Sequence, residues 1–168
     1  TYHQLGSIAH ELRDFAAAQA WYKKSLAIFE KQGNEYGAAI TYHQLGIIAQ
    51  ELRNFAAAQA WYKKSLAIKE KQGNEHGAAG SYHQLGRIAE ELQNFPLAGD
   101  FYLKSAKIFA DTNDPYNLTI VVRSYARLLH TATGAERRQL RRAWSTCMPQ
   151  ELTKTLEETE AELNDADS

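Results

Sequence analysis

The stretch Thr41-Tyr42-His43-Gln44-Leu45-Gly46-Ile47-Ile48-Ala49 has two close relatives in the same chain. Forty residues upstream stands Thr1-Tyr2-His3-Gln4-Leu5-Gly6-Ser7-Ile8-Ala9, and forty residues downstream Ser81-Tyr82-His83-Gln84-Leu85-Gly86-Arg87-Ile88-Ala89. The match extends well beyond the motif. Thr1–Ile40 and Thr41–Gly80 differ only at 7/47, 10/50, 14/54, 29/69, 36/76 and 40/80. The third copy, 81–120, keeps the motif and then drifts, and the fourth survives as a helical stretch around Val122 to His130. A fixed period of this length marks stacked supersecondary units, each unable to bury its apolar face alone.

Inside each unit the apolar spacing is helical. Ala38, Tyr42, Leu45, Ala49 and Leu52 recur every three or four residues and share one face of a helix, A. Phe55, Ala58, Tyr62, Leu66 and Lys69 continue that spacing in a second helix, B, with Asn54 (Asp14 in the first copy) as its N-cap. Gly33 and Gly73 supply the left-handed residue that ends helix B, and Asn34 and Asn74 cap the next helix A. The loops are therefore short and the helices antiparallel. Gly6, Gly46 and Gly86 stand mid-helix at a cost of about 1 kcal/mol each against Ala, which predicts close approach of helix B there, with Ala18 and Ala58 as the facing residues. Trp21, Trp61 and Phe101 share one position on helix B and read as core packing rather than base-stacking platforms.

Tyr2-x-x-Leu5-Gly6-x-x-Ala9 followed by Ala18-x-x-x-Tyr22 resembles the tetratricopeptide repeat pattern W-x-x-L-G-x-x-Y…A-x-x-x-F. The period of 40 rather than about 34, and the lack of a proline before Pro96, point to longer helices. In that respect the chain resembles the long-repeat branch of the family, found in Leu-Gly-Asn spindle adaptors and in C-terminal arrays of bacterial signalling NTPases. The resemblance covers Thr1 to about His130. It implies an all-α fold, a right-handed superhelical solenoid of antiparallel helix pairs with a C-terminal helical cap. The repeats are expected over 1–40, 41–80, 81–120 and 121–133, with capping helices over 134–168. Arg137, Arg138, Arg141 and Arg142 against Glu136 make a basic helix, and seven acids against Lys154 make 150–168 acidic. The pair reads as a solvating cap whose helices lie against each other.

Composition narrows the function. Nineteen Lys and Arg against 20 Asp and Glu give a formal charge of −1, too even for a field that holds nucleic acid. No apolar run reaches 18 residues, which argues against a membrane span. The lone Cys147 has neither a disulfide partner nor a C-x-x-C mate, which points to a reducing, cytoplasmic setting. The start at Thr1, without Met or signal-peptide layout, suggests the C-terminal piece of a longer chain. His3, His43 and His83 recur one per helix A, where axes about 8–10 Å apart leave them too open for zinc bonds of about 2 Å. The chain has neither the P-loop pattern nor G-x-G-x-x-G, and Cys147 has no histidine nearby in sequence. The expectation is a protein that is not an enzyme and takes no metal or cofactor.

The differences between copies point to a surface. Positions 40, 43, 47 and 50 lie at helical spacing on helix A, and three of the six differences fall at 7/47, 10/50 and 40/80. In the family it resembles, helix A lines the concave groove that contacts peptides. That implies a groove of Ser7, His10, Ile40, Ile47, Gln50, Arg87, Glu90, Arg127 and His130 on a row of His3, His43, His83 and Arg123. Arg87, Arg123 and Arg127 outweigh Glu90 and predict a preference for an acidic residue or a C-terminal carboxylate, opposed by the neighbouring Glu11, Glu51 and Glu91. The reading is a protein or peptide interaction scaffold. Its rivals are a ligand-sensing C-terminal segment of a larger STAND-type signalling ATPase, and self-association through an uncapped N-terminal repeat.

Overall fold

Asp14, Asn34, Asn54, Asn74, Asn94 and Asp114 stand 20 residues apart, and each caps a helix. Their side chains accept from the backbone N–H three residues on, at 2.9 Å from Ala17 and from Gly37, 3.1 Å from Ala57, 2.9 Å from Gly77, 3.2 Å from Leu97 and 3.0 Å from Asn117. The residue before each cap is left-handed: Gly33 and Gly73, but also Arg13, Arg53, Gln93 and Asn113, with φ between 53 and 66°. At these turns a 6→1 bond closes the outgoing helix, as in Asn34 N–H to Phe29 O and Asp14 N–H to Ala9 O, both 2.9 Å. These are Schellman ends. Glycine makes two of them free of strain. The non-glycine positions cost about 1–2 kcal/mol each, offset by the paired carbonyls and the following Asx cap.

The computed structural model describes residues 1–166, and among them are nine helices and no strand. These are α1 (Tyr2–Glu11), α2 (Phe15–Lys31), α3 (Glu35–Glu51), α4 (Phe55–Lys71), α5 (Glu75–Glu91), α6 (Phe95–Asp111), α7 (Pro115–Thr131), α8 (Gly134–Cys147) and α9 (Gln150–Ala166). Two 17-residue helices and two three-residue turns make the 40-residue period, which is the helix lengthening the sequence predicts. No described helix is long and apolar enough to cross a membrane. The chain divides into two units, one over Thr1–Ser81 and one from Tyr82 onward, with α5 contributing to both.

In the first unit α1 packs on α2, α2 on α3 and α3 on α4. Ala18, Tyr22 and Leu26 of α2 share a core with Ala38, Tyr42, Leu45 and Ile48 of α3. One sequence expectation needs correction. The residues facing the mid-helix glycines are tyrosines rather than Ala18 and Ala58. A Cβ on Gly6 would lie 2.8 Å from the Tyr22 ring, and one on Gly46 2.6 Å from Tyr62; in the second unit one on Gly86 would lie 2.6 Å from Tyr102. Ala18 and Ala58 are fully buried beside them. The missing Cβ lets an aromatic ring lie flat on helix A, a larger apolar contact than alanine provides.

In the second unit α6 packs on α7 and on α8, while α9 covers α7. Tyr125 Oη donates to Leu140 O at 2.8 Å, and Trp144 and Leu156 are buried. The two C-terminal helices do not chiefly lie against each other: α8 rests on α6 and α9 on α7. They are joined by Arg141, whose Nη2 reaches both oxygens of the buried Glu160 at 2.6 and 2.8 Å. The fourth helix A, α7, has the full 17 residues, reaching back to Pro115. Asp167 and Ser168, the end of the acidic run, lie outside the described residues.

Two glycine substitutions separate packing from helix propensity. Alanine is the better helix former by about 1 kcal/mol, yet Gly46→Ala should lower stability by about 1–3 kcal/mol because Tyr62 is buried and cannot withdraw. Gly80→Ala, with nothing within 4 Å of the new Cβ, should raise it by about 0.5–1 kcal/mol. Urea unfolding of both variants measures the two signs.

Candidate functional site

Each hairpin is closed by two ring pairs. Tyr2 stacks on Trp21 and Tyr42 on Trp61, both at 5.6 Å, and His3 meets Tyr22 and His43 meets Tyr62, both at 5.2 Å. In the second unit Tyr82 pairs with Phe101 at 6.2 Å and His83 with Tyr102 at 5.5 Å. The histidine row is thus set against core rings. Burial, and secondarily the Lys69 charge, pulls the His43 pKa down to about 4. Burial, reinforced by Arg87 and Arg127 and opposed by Glu90, does the same to His83. Burial also lowers that of His3. These imidazoles are neutral at pH 7 and give the helix-A face no positive charge.

The tyrosines run beneath helix A and surface at the variable stripe. Tyr22 Oη lies 3.2 Å from Ser7 Oγ, Tyr62 Oη donates to Gln50 Oε1 at 3.0 Å, and Tyr102 Oη donates to Glu90 Oε2 at 2.6 Å. Burial and then the Glu90 charge push the Tyr102 phenol well above its usual range, so it remains a donor. The residues that vary between copies are therefore held from below by one that does not.

In the second unit α5, α6 and α7 bound a cleft of about 640 Å³, with His83, Arg87, Glu90, Phe95, Ile120 and Arg127 in its lining. Arg127 forks onto Glu90, Nε to Oε1 at 3.0 Å and Nη2 to Oε2 at 3.1 Å. His83 Nε2 lies 3.0 Å from Ser124 Oγ, which gives its own proton to Ile120 O at 3.1 Å, so the neutral ring donates through Nε2. Arg87 is exposed and reaches Gln84 Oε1 at 3.3 Å.

This geometry redistributes the expected site. His83, Arg87, Glu90 and Arg127 converge. Arg123 and His130 do not line the cleft; Ser124 and Thr131, one position further along α7, do. His130 Nδ1 sits 3.0 Å from Asn164 Oδ1 of α9. The one-residue shift arises because α7 turns its 120-124-127-131 stripe, not 123-127-130, toward the cleft. In the first unit Ser7 and Gln50 take tyrosine hydroxyls, His10 packs at 6.0 Å on Phe15, and Ile40 and Ile47 are half-buried. Sequence reading missed Tyr22, Tyr62 and Tyr102 as site residues. Their recurrence at the 40-residue period, intact in the third copy where neighbours drift, was the available signal.

The family model of the tetratricopeptide repeat matches residues 1–71. Among solved structures, the crystal structure of BtubC (BKLC) from P. vanneervenii is similar with a TM-score of 0.70 over 97% of this chain and 70% of that one, at 16% sequence identity, a likeness of fold. No curated protein matches the sequence. Residues 1–71 thus match tetratricopeptide-type helical hairpins. Such repeats in general mediate protein–protein interactions and are in general non-catalytic scaffolds.

The neutral histidines predict a pH response. Folded His43 and His83 take a proton at about pH 4 and the unfolded ones at about 6.5, so below 6.5 the unfolded state binds more protons. Their contribution is complete above pH 6.5 and is lost as pH falls toward 4. The urea midpoint should be lower at pH 5 than at pH 7, and the drop should shrink in the His43→Gln/His83→Gln double variant.

Proposed function

We propose that this chain is a non-catalytic scaffold that binds a segment of a partner protein on its helix-A faces, with an acidic side chain or C-terminal carboxylate of that segment meeting Arg87. The carrying observation is how charge is spent in the cleft of the second unit. Glu90 is satisfied three times over, by the two arms of Arg127 and by Tyr102, so it neither attracts a cation nor cancels Arg87. Arg87 keeps its guanidinium at an exposed position. A carboxylate entering there can form two parallel charge-assisted bonds. Ile120 and Phe95 supply apolar contact area beside it. In the first unit Ile40 and Ile47 offer apolar contact next to the uncharged Ser7 and Gln50. The setting that fits is cytoplasmic, with Cys147 exposed and unpaired.

The ligand preference follows from one arginine rather than three. A hydrogen bond to a charged group contributes about 1.5–3 kcal/mol, so Arg87→Ala should weaken binding of a selected peptide by about tenfold or more, while Arg123→Ala, outside the cleft, should leave affinity unchanged. The experiment is selection from a random peptide library on the purified chain, then titration of both variants by calorimetry. Selected peptides lacking acids and a free C-terminus would retire the carboxylate preference. A library that yields no binder would retire the groove.

A further inference from the structure

The cleft of the second unit has an order along its length. Two ties join α5 to α7: His83 to Ser124 at 3.0 Å, and Glu90 to Arg127 at 3.0 and 3.1 Å. The residue numbers of the ties rise together, so the two helices run in the same direction and positions on one can be read against the other. Arg87 stands between the ties, four residues after His83 and three before Glu90. Ile120, 38% exposed, comes four residues before Ser124, about 6 Å beyond the first tie at 1.5 Å per residue. Phe95 opens α6 just past the second tie and is half-buried. In the first copy the equivalent rings of His10 and Phe15 lie 6.0 Å apart, and the repeat puts Phe95 beside Glu90 in the same way. The lining is thus apolar at one end, cationic between the ties and apolar again at the other end.

Resting on the scaffold function proposed above, we infer that the cleft takes an internal stretch of a partner protein rather than a chain end: an extended run with one acidic side chain flanked on both sides by apolar ones. From Ile120 to Thr131 the α7 wall advances 11 residues, about 16 Å, which an extended chain covers in about five residues at 3.3 Å each. A C-terminal carboxylate paired with Arg87 ends its chain between the ties and leaves either Ile120 or Phe95 uncovered. A segment that passes through covers both. Its acid finds only one place. Glu90 and Arg127 already satisfy each other, with Tyr102 donating to Glu90 as well. Glu91, in the lining on the Phe95 side, disfavours a second acid at that end. Toward Ile120 the neutral His83, bonded to Ser124, offers no charge to attract one.

Two random peptide libraries, selected side by side on the purified 168-residue chain, test the inference. In one the variable residues are closed on both sides by constant glycine-serine segments; in the other they end in a free carboxylate. The closed library is expected to yield binders with one Asp or Glu and an apolar residue within three positions on each side of it. Replacing that acid by its amide, or Arg87→Ala, should weaken binding by about tenfold. Ile120→Ser should weaken it by about fivefold, and should cost little more once serine replaces one particular flanking apolar residue of the peptide, the mark of direct contact. Binders drawn only from the free-carboxylate library, with the acid at the terminus, overturn the through-running segment and leave the scaffold function standing. So do closed-library binders whose acid lacks apolar flanks, or whose affinity ignores Arg87→Ala. No binder from either library retires both.

Discussion

A tyrosine ring against a glycine is the contact on which the rest of the hairpin depends. Tyr62 is fully buried, and its ring occupies the place that a side chain at position 46 would need. Burying a large side chain contributes about 1.5–3 kcal/mol, more than glycine forfeits in helix propensity. The consequence reaches outward in both directions from that ring. Toward the core it fixes the separation of helices A and B, so that Ala18 and Ala58 can be buried without a cavity. Toward the surface its hydroxyl holds a groove residue, a different one in each copy.

That coupling holds the carboxylate of the candidate site in place from two sides. A glutamate on a groove wall usually keeps several rotamers. Glu90 has its two oxygens engaged by an arginine fork from α7 and a phenol from α6, so ordering entropy has already been lost before a ligand arrives. The histidines add to this rigidity, not to the charge, because desolvation keeps them neutral.

Much of this was legible in the sequence, and the parts that were not share a cause. The 40-residue period, helical spacing and Asx caps are local signals, and each survives into the structure. The left-handed turns at Arg13, Arg53 and Gln93 were hidden because nothing in those side chains advertises a positive φ; the turn geometry imposes it. The identity of the glycine's neighbour was hidden because helical spacing says which residues share a face but not which of them is long enough to cross the interface. Ala18 shares that face with Tyr22, and size decided between them. The choice of Ser124 over Arg123 was hidden for a related reason: the repeat register carries α3 onto α7 residue for residue, while the rotation of α7 answers to α9 and the divergent C-terminal helices, which no earlier copy resembles.

The Asx residues recur every 20 positions, but the hairpin repeats only every 40, so punctuation and partnership run on different clocks. A helix displaced by one place along the chain would still begin at a proper cap and end at a proper left-handed turn. Nothing local would register the error. Only the glycine on one type of helix and the tyrosine on the other distinguish odd places from even. Two nearly identical copies, moreover, present the same glycine and the same tyrosine, so α1 offers α4 much the same seat that α3 does. Chain connectivity, through turns only three residues long, then becomes the arbiter of correct pairing. Lengthening one of those turns would leave every helix intact and remove the means by which the molecule tells its first hairpin from its second.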